Sequence, residues 1–392
     1  MTMDKTSVLI VDDSALMRNL ISRIIEQTDD LSVCGTAMNG KFALDKLGRL
    51  DPDVIVLDLE MPDVDGIGFL TERKKRGVTV PVIILSSLAE RGARITMDAL
   101  SLGASDFIMK PTGRGGPDVQ GVAAQLVEML RSYGDEFRMR RSKRRTPGTN
   151  EREVEEGAQH EADREERVEQ FEPPVLPTHT AEPARGLPAR SPKRRPGPVR
   201  LVAIGVSTGG PNALRRVLPK LDASLRVPIL VVQHMPAGFT TEFARSLDRI
   251  CDYEVREAQD GDIIVERRIL IAPGDRHMRV EQRQLATTVR ITDDEPVSGH
   301  RPSVDVLFAS VAKCYGNECL AVIMTGMGRD GAREIGSIYE EGGLTFGQDA
   351  SSAVVYGMPR AACEAGYLHR QLNLEELAAA IGEAAESVTE HA

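Results

Sequence analysis

Three residues, Ser207, His234 and Asp330, are of the types that carry out nucleophilic acyl transfer, and each lies shortly after an apolar run. A serine hydroxyl is a weak nucleophile until a neighbouring histidine takes its proton, and a carboxylate holds that histidine in the correct tautomer. Each residue alone has an ordinary explanation as a loop or turn residue. The three together predict a site that hydrolyses or transfers an acyl group.

A second group of polar residues, near the N-terminus, predicts a different chemistry. Asp12 and Asp13 end one apolar run, and Asp58 ends another. One such aspartate alone would be interpreted as a helix cap or turn residue, but clustered carboxylates are the ligands that Mg²⁺ prefers. Ser86 and Lys110 end two more runs, where a hydroxyl and an ammonium group could contact a phosphoryl group. Together these residues predict a Mg²⁺-dependent site that accepts a phosphoryl group.

The apolar runs before these residues are typical of strands buried on both faces of a parallel sheet. The carboxyl ends of such strands form the crevice in which α/β folds bind ligands. Five strand-helix repeats fill residues 5–130, so we expect an N-terminal (βα)5 domain of the flavodoxin-like kind. Ser14, directly after the second aspartate, is expected to cap the first helix.

Ser207 lies in a glycine-rich turn after a predicted strand, Gly205-Val206-Ser207-Thr208-Gly209-Gly210. Such a turn presents a nucleophile, but a phosphate-binding loop or a plain structural turn would use the same glycines. The dinucleotide fingerprint, however, needs glycine where this chain has Ser207. His234 and Asp330 follow two further predicted strands and therefore favour the nucleophile.

The order Ser, His, Asp along the chain differs from the order Ser, Asp or Glu, His of ordinary α/β-hydrolases. We therefore expect residues 199–388 to form another α/β domain, doubly wound, mostly parallel and Rossmann-like, that carries a Ser-His-Asp triad. A chain of 392 residues exceeds what one hydrophobic core usually serves. Residues 131–198 are poor in aliphatic residues and rich in charge and proline, which predicts a flexible linker between the domains.

Composition argues against several classes of protein. The net charge of -10 disfavours nucleic acid as a partner, and the basic run at 138–145 lies beside an acidic run without interleaved aromatic residues. Five cysteines without a CxxC pair, and without a histidine at zinc-ligand spacing, argue against a cysteine-ligated metal site and against a disulfide framework. Because no signal peptide or apolar run of membrane-spanning length is present, we expect a cytoplasmic protein that is not embedded in a membrane.

The N-terminal residues resemble the receiver domain of two-component response regulators. The residues that carry the resemblance are Asp12-Asp13, Asp58, Ser86, Lys110-Pro111 and the loop at 61–66. The resemblance implies that a histidine kinase phosphorylates Asp58, that Ser86 and Lys110 support the phosphoryl group, and that Phe107 is the switch aromatic. The Mg²⁺ ligands that it implies are Asp12, Asp13, Asp58 and the carbonyl of Glu60.

The C-terminal residues resemble the protein-glutamate methylesterase domain of bacterial and archaeal chemotaxis, the CheB family. The segments that carry this resemblance are the Ser207 turn, Gln233-His234-Met235-Pro236, Thr325-Gly326-Met327-Gly328-Arg329-Asp330-Gly331, and residues 271–277 and 300–308. The resemblance implies that Ser207 is the nucleophile, that His234 is the base and that Asp330 orients it. It also implies that the backbone N–H of Met327 stabilises the oxyanion.

The two resemblances together imply a phosphorylation-regulated enzyme of sensory adaptation. It would hydrolyse glutamate 5-O-methyl esters on chemoreceptors, releasing methanol, and deamidate receptor glutamines. Chemoreceptors would be the substrates and the chemotaxis histidine kinase the phosphodonor. Mg²⁺ would serve the receiver, and hydrolysis would need no cofactor. Two alternatives stay open: a receiver-controlled adaptor with an inactive C-terminal domain, and a general lipase or esterase.

Overall fold

Two parallel sheets, each with helices on both faces, organise the chain. The computed structural model describes residues 5–87, 90–110, 119–145, 192–222 and 224–386. One sheet belongs to the N-terminal part of the chain and the other to the part that begins at residue 192. The predicted two-domain α/β architecture is thus confirmed.

The N-terminal domain alternates strands and helices along its whole length. Its strands are β1 (Thr6–Val11), β2 (Leu31–Ala37), β3 (Val54–Asp58), β4 (Val82–Ser86) and β5 (Asp106–Met109). Its helices are α1 (Ala15–Glu26), α2 (Gly40–Leu50), α3 (Gly66–Lys75), α4 (Glu90–Ser101) and α5 (Val119–Arg145). The strand order is β2-β1-β3-β4-β5 with all pairs parallel. This is the flavodoxin-like order, as predicted.

Short polar side chains begin the first helices of this domain. The hydroxyl of Ser14 accepts a hydrogen bond from the Met17 N–H, so the predicted cap is confirmed. Asn39 and Asp65 cap α2 and α3 in the same way. Because each cap ends a loop that starts at the carboxyl end of a strand, the polar loops gather at one edge of the sheet.

The C-terminal domain has a seven-stranded sheet and a separate hairpin. Its strands are β6 (Leu201–Val206), β7 (Ile229–Gln233), β8 (Glu254–Glu257), β9 (Arg268–Ile271), β10 (His277–Gln282), β11 (Thr287–Thr292), β12 (Cys319–Ile323), β13 (Leu344–Gln348) and β14 (Arg370–Leu372). Its helices are α6 (Gly210–Val217), α7 (Phe239–Asp248), α8 (Val304–Tyr315), α9 (Glu334–Glu341), α10 (Met358–Glu364) and α11 (Leu374–Glu386).

The order of the large sheet is β14-β13-β12-β6-β7-β9-β8, and every pair is parallel. The three central strands β12, β6 and β7 are buried along their full length. They are the strands that precede Asp330, Ser207 and His234, respectively. Because they are neighbours and parallel, their following loops share one edge of the sheet.

The antiparallel hairpin β10-β11 was not predicted from the sequence. Its strands alternate apolar with charged or polar residues, whereas the prediction rested on continuous apolar runs. The hairpin packs on α8, and the N–H of Val280 donates to the Ser310 hydroxyl at 3.0 Å. It therefore supports the helix that starts beside the candidate catalytic residues.

The predicted linker, residues 131–198, is described only at its two ends. Helix α5 continues through residue 145. Residues 192–198 are hydrogen-bonded to the C-terminal domain. The N–H of Lys193 donates to the Glu340 carbonyl and the N–H of Gly197 to the Asn317 carbonyl, both at 2.8 Å. Residues 146–191 lie outside the described part of the chain, so the predicted domain boundaries and flexibility stay predictions.

Among the described helices, none is long and apolar enough to cross a membrane.

The two domains meet through a buried aromatic pair. Phe107 of β5 stacks on Phe239, the first residue of α7, with ring centroids 5.1 Å apart and planes 7° from parallel. Both rings belong to an apolar cluster that contains residues of both domains. The residue predicted to be the receiver's switch aromatic therefore contacts the other domain directly.

Candidate active site and phosphoryl-acceptor site

Ser207 lies in a tight turn between β6 and α6. Its N–H donates to the Thr325 carbonyl at 3.0 Å, and its own carbonyl accepts from the Gly210 N–H at 2.8 Å. A Cβ at Gly210 would lie 2.0 Å from Gln233 Oε1, and Gly209 has a φ of +79°, which favours glycine. The glycines thus allow the chain to turn sharply and present the serine at the edge of the sheet.

The three predicted catalytic side chains form a hydrogen-bonded row. Ser207 Oγ lies 3.1 Å from His234 Nδ1, and Asp330 Oδ2 lies 2.8 Å from His234 Nε2. This ring orientation is the reverse of that in trypsin-like proteases, where Nε2 faces the serine. Because an ionised carboxylate only accepts hydrogen bonds, the neutral imidazole carries its proton on Nε2 and offers the lone pair of Nδ1 to the serine.

Asp330 is held in place by the N-terminus of α8. Its carboxylate accepts hydrogen bonds from the Ser303 hydroxyl (2.8 Å) and from the N–H groups of Val304 (2.7 Å) and Asp305 (3.1 Å). Burial would raise the pKa of Asp330, but the hydrogen bonds from His234 and from these donors outweigh burial and lower the pKa below its usual value. The carboxylate therefore remains ionised beside the imidazole.

Gln233 and Thr325 brace the site, although sequence reasoning gave neither residue a role. The buried side-chain amide of Gln233 donates to the carbonyls of Ser207 (3.0 Å) and His234 (3.1 Å). The hydroxyl of Thr325 donates to the Thr208 carbonyl at 2.9 Å. Both residues belong to the sequence motifs at 233–236 and 325–331. From the sequence alone, however, an amide or hydroxyl side chain at the end of a strand cannot be distinguished from an ordinary turn residue.

Backbone N–H groups beside Ser207 are free to stabilise negative charge. Met327, the predicted oxyanion donor, lines the same cleft as Ser207. In the described part of the chain, neither the Met327 nor the Thr208 N–H has a hydrogen-bond acceptor. The loop of Met327 also approaches the serine closely, since a Cβ at Gly326 would lie 2.7 Å from Ser207 Cβ. The role of Met327 stays a prediction that this placement suits.

The row of catalytic side chains opens into a cleft of about 910 Å³ between the domains. Ser207, His234 and His300 line it from the C-terminal domain. Phe107 of β5 and Gln125 of α5 line it from the N-terminal domain. The N-terminal domain thus forms one wall of the approach to Ser207, a residue that is only 9% exposed.

Hydrogen bonds join the N-terminal domain directly to the Ser207 turn and to α6. The carboxylate of Asp106 accepts from the Gly209 N–H at 2.7 Å. The side chain of Asn212 donates to the carbonyls of Ala104 (3.0 Å) and Ser105 (2.6 Å). Burial raises the pKa of Asp106 to about 6, although the N–H donors around it oppose the rise. Contacts of the domain interface thus reach the turn that presents the nucleophile.

The predicted phosphoryl-acceptor residues come together at the carboxyl ends of β1 and β3. Carboxylate oxygens of Asp12, Asp13 and Asp58 lie within 4.8 Å of one another. Lys110 Nζ lies 2.7 Å from Asp58 Oδ2 and 3.5 Å from Asp12 Oδ2. Burial raises the pKa of Asp12; Lys110 opposes this rise and Asp58 adds to it. Asp12 Oδ2 is buried without a hydrogen-bond donor among the described residues, which leaves an acceptor for a cation.

Ser86 and Glu60 lie in the same small cavity as Asp58 and Lys110, about 70 Å³ in volume. The Glu60 N–H donates to Asp58 Oδ1 at 3.3 Å. The Ser86 hydroxyl lies 2.7 Å from Thr96 Oγ1. The structure therefore places both residues at the predicted site, with the Ser86 hydroxyl bonded to Thr96. Their roles in phosphoryl transfer stay predictions.

Comparison with known proteins finds two family models that match this chain. The family model for the CheB methylesterase matches residues 202–381, and the model for the response regulator receiver domain matches residues 8–115. Among solved structures, the CheB methylesterase catalytic domain of Thermotoga maritima is 34% identical and covers 47% of this chain and 98% of its own, with a TM-score of 0.46. The response regulator domain of Thermotoga maritima CheB is 43% identical and covers 33% and 97%, with a TM-score of 0.31.

Two relatives match over nearly the full length and carry the name protein-glutamate methylesterase/protein-glutamine glutaminase. The protein of Treponema denticola is 51% identical over 379 residues, which is 97% of this chain and 98% of its own. That of Treponema pallidum is 49% identical over 390 residues, 96% of each chain. The chain therefore belongs to the protein-glutamate methylesterase/protein-glutamine glutaminase family, with an N-terminal response regulator receiver domain and a C-terminal CheB catalytic domain.

Proposed function

We propose that this chain hydrolyses glutamate 5-O-methyl esters on chemoreceptors, releasing methanol, and deamidates receptor glutamines, under control of phosphorylation at Asp58. The observation that carries the proposal is the hydrogen-bonded row of Ser207, His234 and Asp330, in which Ser207 and His234 line a cleft. This alignment favours an enzyme over an inactive adaptor, because an adaptor has no need to hold three such groups in register. The names of the relatives support the choice of substrate.

In the first half of the reaction, Ser207 Oγ attacks the side-chain carbonyl carbon of the substrate residue. His234 Nδ1 takes the hydroxyl proton, while Asp330 stabilises the imidazolium that forms. The Met327 N–H, with the Thr208 N–H beside it, stabilises the oxyanion; such a donor is worth about 3 kcal/mol of barrier. The C–O bond to methoxide then breaks as His234 returns the proton, which gives methanol and an acyl-enzyme.

In the second half, water attacks the acyl-enzyme and His234 takes its proton. The bond between the carbonyl carbon and Ser207 Oγ breaks as the serine regains a proton, and a glutamate carboxylate is released. A glutamine substrate follows the same steps with ammonia as the leaving group. One set of residues therefore serves both reactions, and no step calls for a cofactor.

The receiver site suits Mg²⁺, a hard cation that prefers oxygen ligands. Asp12, Asp13 and Asp58 would hold it, with the Glu60 carbonyl as a further ligand. The ion would neutralise charge on the incoming phosphoryl group when bound. Lys110 forms an ion pair with Asp58, so its ammonium group can also contact the oxygens of a phosphoryl group on that residue.

We propose the chemotaxis histidine kinase as the phosphodonor and the cytoplasm as the place of action.

We further propose that the unphosphorylated receiver limits access to Ser207. The hydrogen bonds of Asp106 and Asn212 and the stack of Phe107 on Phe239 support this arrangement. Phosphorylation adds about 1.5 to 2 negative charges beside Lys110, one residue beyond the end of β5. Because β5 also carries Asp106 and Phe107, a shift of that strand would loosen the contacts that close the cleft.

An Asp58→Ala variant tests control by phosphorylation. Wild-type methanol release from methylated receptor membranes should rise when acetyl phosphate and Mg²⁺ are added, and the rise should be absent in the variant because no acceptor is present. Asp45→Ala, an exposed aspartate on α2 of the same domain, should keep the stimulation. Stimulation that persists without Asp58 would remove this residue as the acceptor.

An Asn212→Ala variant tests the closed cleft. It removes two hydrogen bonds across the interface, and a loss of about 1 kcal/mol would shift the equilibrium between closed and open forms about fivefold. Basal methanol release without phosphodonor should therefore rise severalfold. Arg216→Ala is the matched control, because Arg216 lies on the same helix but pairs with Glu375 of its own domain. Equal basal rates in the two variants would contradict a closed receiver.

A further inference from the structure

His300 lies face to face with the histidine of the catalytic row. The ring centroids of His234 and His300 are 3.8 Å apart, and the planes differ by 10°. Both rings line the cleft, so the contact is at the place where substrate enters. The His300 imidazole has no hydrogen bond to any described residue. Its interaction with the protein is therefore mainly through the face of the ring.

The hydrogen bonds of His234 leave one motion of its ring poorly restrained. The bonds to Ser207 Oγ and Asp330 Oδ2 run along the ring plane and fix where the two nitrogens point. Tipping of the ring about the line between these partners stretches neither bond much, whereas a contact on the ring face opposes this motion directly. In the acyl-enzyme the serine oxygen is esterified, so the hydrogen bond that His234 Nε2–H donates to Asp330 and the face contact are left to orient the base.

His300 is itself rigidly presented. It closes a two-residue turn in which the N–H of His300 donates to the Val297 carbonyl (2.9 Å) and the Val297 N–H donates back (3.1 Å). The central residues Ser298 and Gly299 have φ of 55° and 80°, as such a tight turn requires. The Ser298 hydroxyl donates to Asp305 at 3.2 Å, on the helix that also holds Asp330. The stacked ring and the carboxylate thus share one support.

His300 is neutral near pH 7, so its ring can remain in contact with His234 when His234 is protonated. Burial lowers the pKa of His300 to about 4, and repulsion from His234 acts in the same direction. Among the described residues, the other charged groups that line the cleft or touch the two rings are Asp106, Asp275, Arg301 and Asp330. Arg301 and Asp275 neutralise each other at 2.7 Å. A neutral His300 can therefore remain stacked when His234 becomes an imidazolium, whose charge the face of an aromatic ring attracts.

We propose that His300 is a positioning residue whose flat ring holds the plane of His234 through proton transfer. This inference rests on the proposed function, because it assigns His300 to the reaction that Ser207 and His234 carry out. It makes a prediction about shape: a flat, apolar ring should replace the imidazole, whereas a branched aliphatic side chain of similar volume should not. A role limited to filling space predicts no difference between the two.

The experiment compares His300→Phe with His300→Leu in the full chain, activated with acetyl phosphate and Mg²⁺, using methylated receptor membranes. His300→Leu should lower kcat about 10-fold to 100-fold, the scale of effect expected when a base is misoriented, with little change in KM. His300→Phe should regain most of the lost kcat. His369→Leu, at an exposed histidine outside the cleft, is the control and should keep wild-type kcat and KM. Thermal unfolding of each variant is measured, and His300→Met replaces the leucine variant if that one does not fold.

Equal kcat values for the phenylalanine and leucine variants would overturn the proposal: equally high values would make the ring dispensable, and equally low values would mean that an imidazole nitrogen is needed. The dependence of kcat/KM on pH gives a second test. The phenylalanine variant should keep the wild-type profile near neutral pH, and loss of an ionisation would assign His300 an acid-base role instead. Ser207→Ala in the same assay separates the two proposals, because activity without Ser207 would refute the proposed function whatever His300 does.

Discussion

Ser207→Ala is expected to lower methanol release from methylated chemoreceptors by about 10⁴-fold to 10⁶-fold, the scale found when a serine nucleophile is removed. The methyl group of alanine cannot form the acyl-enzyme, and His234 then has no hydroxyl to deprotonate. The fold should be unaffected, because the turn is held by backbone hydrogen bonds to Thr325 and Gly210 rather than by the serine hydroxyl. Methanol release and ammonia release should fall together, because one nucleophile serves both reactions.

The control for this prediction is Ser337→Ala, the same change on α9 of the same domain, outside the residues that line the cleft. It should keep the wild-type rate. His234→Ala should cost about as much as Ser207→Ala, and the double variant should be no slower than the slower single variant, because the residues act as a unit. Activity that survives the loss of Ser207 would mean that a different esterase site carries out the reaction.

Asp330→Asn is expected to lower the rate by about 10⁴-fold while leaving nearly the same volume in place. If the asparagine turned its amide N–H2 group toward His234, it would donate to Nε2 and force the ring proton onto Nδ1. The lone pair that should receive the serine proton would then be lost. The measurements, both with the activated full chain, are kcat for methanol release from the ester receptor and kcat for ammonia release from the glutamine receptor.

The opposite orientation of the asparagine would also be unfavourable. Both carboxylate oxygens of Asp330 accept backbone N–H groups at the start of α8, Oδ2 from Val304 and Oδ1 from Asp305. Either placement of the amide N–H2 therefore brings two donors together, so we expect a lower melting temperature as well. Asp349→Asn, in a loop of the same domain, is the control. A rate within tenfold of wild type for Asp330→Asn would show that the negative charge is not required.

The predictable parts of this fold are the elements whose burial in the tertiary structure requires a recognisable run of residue types in the local sequence. Apolar runs marked the five strands of the N-terminal sheet and the three central strands β6, β7 and β12 of the C-terminal sheet, because a strand covered on both faces has no polar side. The other four strands of the C-terminal sheet, β8, β9, β13 and β14, were not predicted. Residues such as Ser207, His234 and Asp58 were identifiable because they end such runs. The hairpin β10-β11 escaped, since strands with one polar face resemble ordinary surface segments.

The residues that support the site had no such pattern. Gln233 bonds two carbonyls whose positions depend on the pairing of β6 with β7. His300 reaches the base from a turn far along the chain. Asp106 looks like an ordinary strand residue until the second domain places the Gly209 N–H against it. In each case the partner is brought close by packing, and the residue type alone is compatible with many surroundings.

The sequence by itself determined two α/β domains, the carboxylates of a phosphoryl-acceptor site and three groups suited to acyl transfer, because strand burial and strand-end chemistry are local properties. Only the tertiary structure decided that His234 presents Nδ1 to Ser207, that His300 covers its face and that the receiver forms a wall of the cleft. Ring orientation, stacking and domain contact depend on atoms that lie far apart along the chain, and their positions are set by the packing of complete elements.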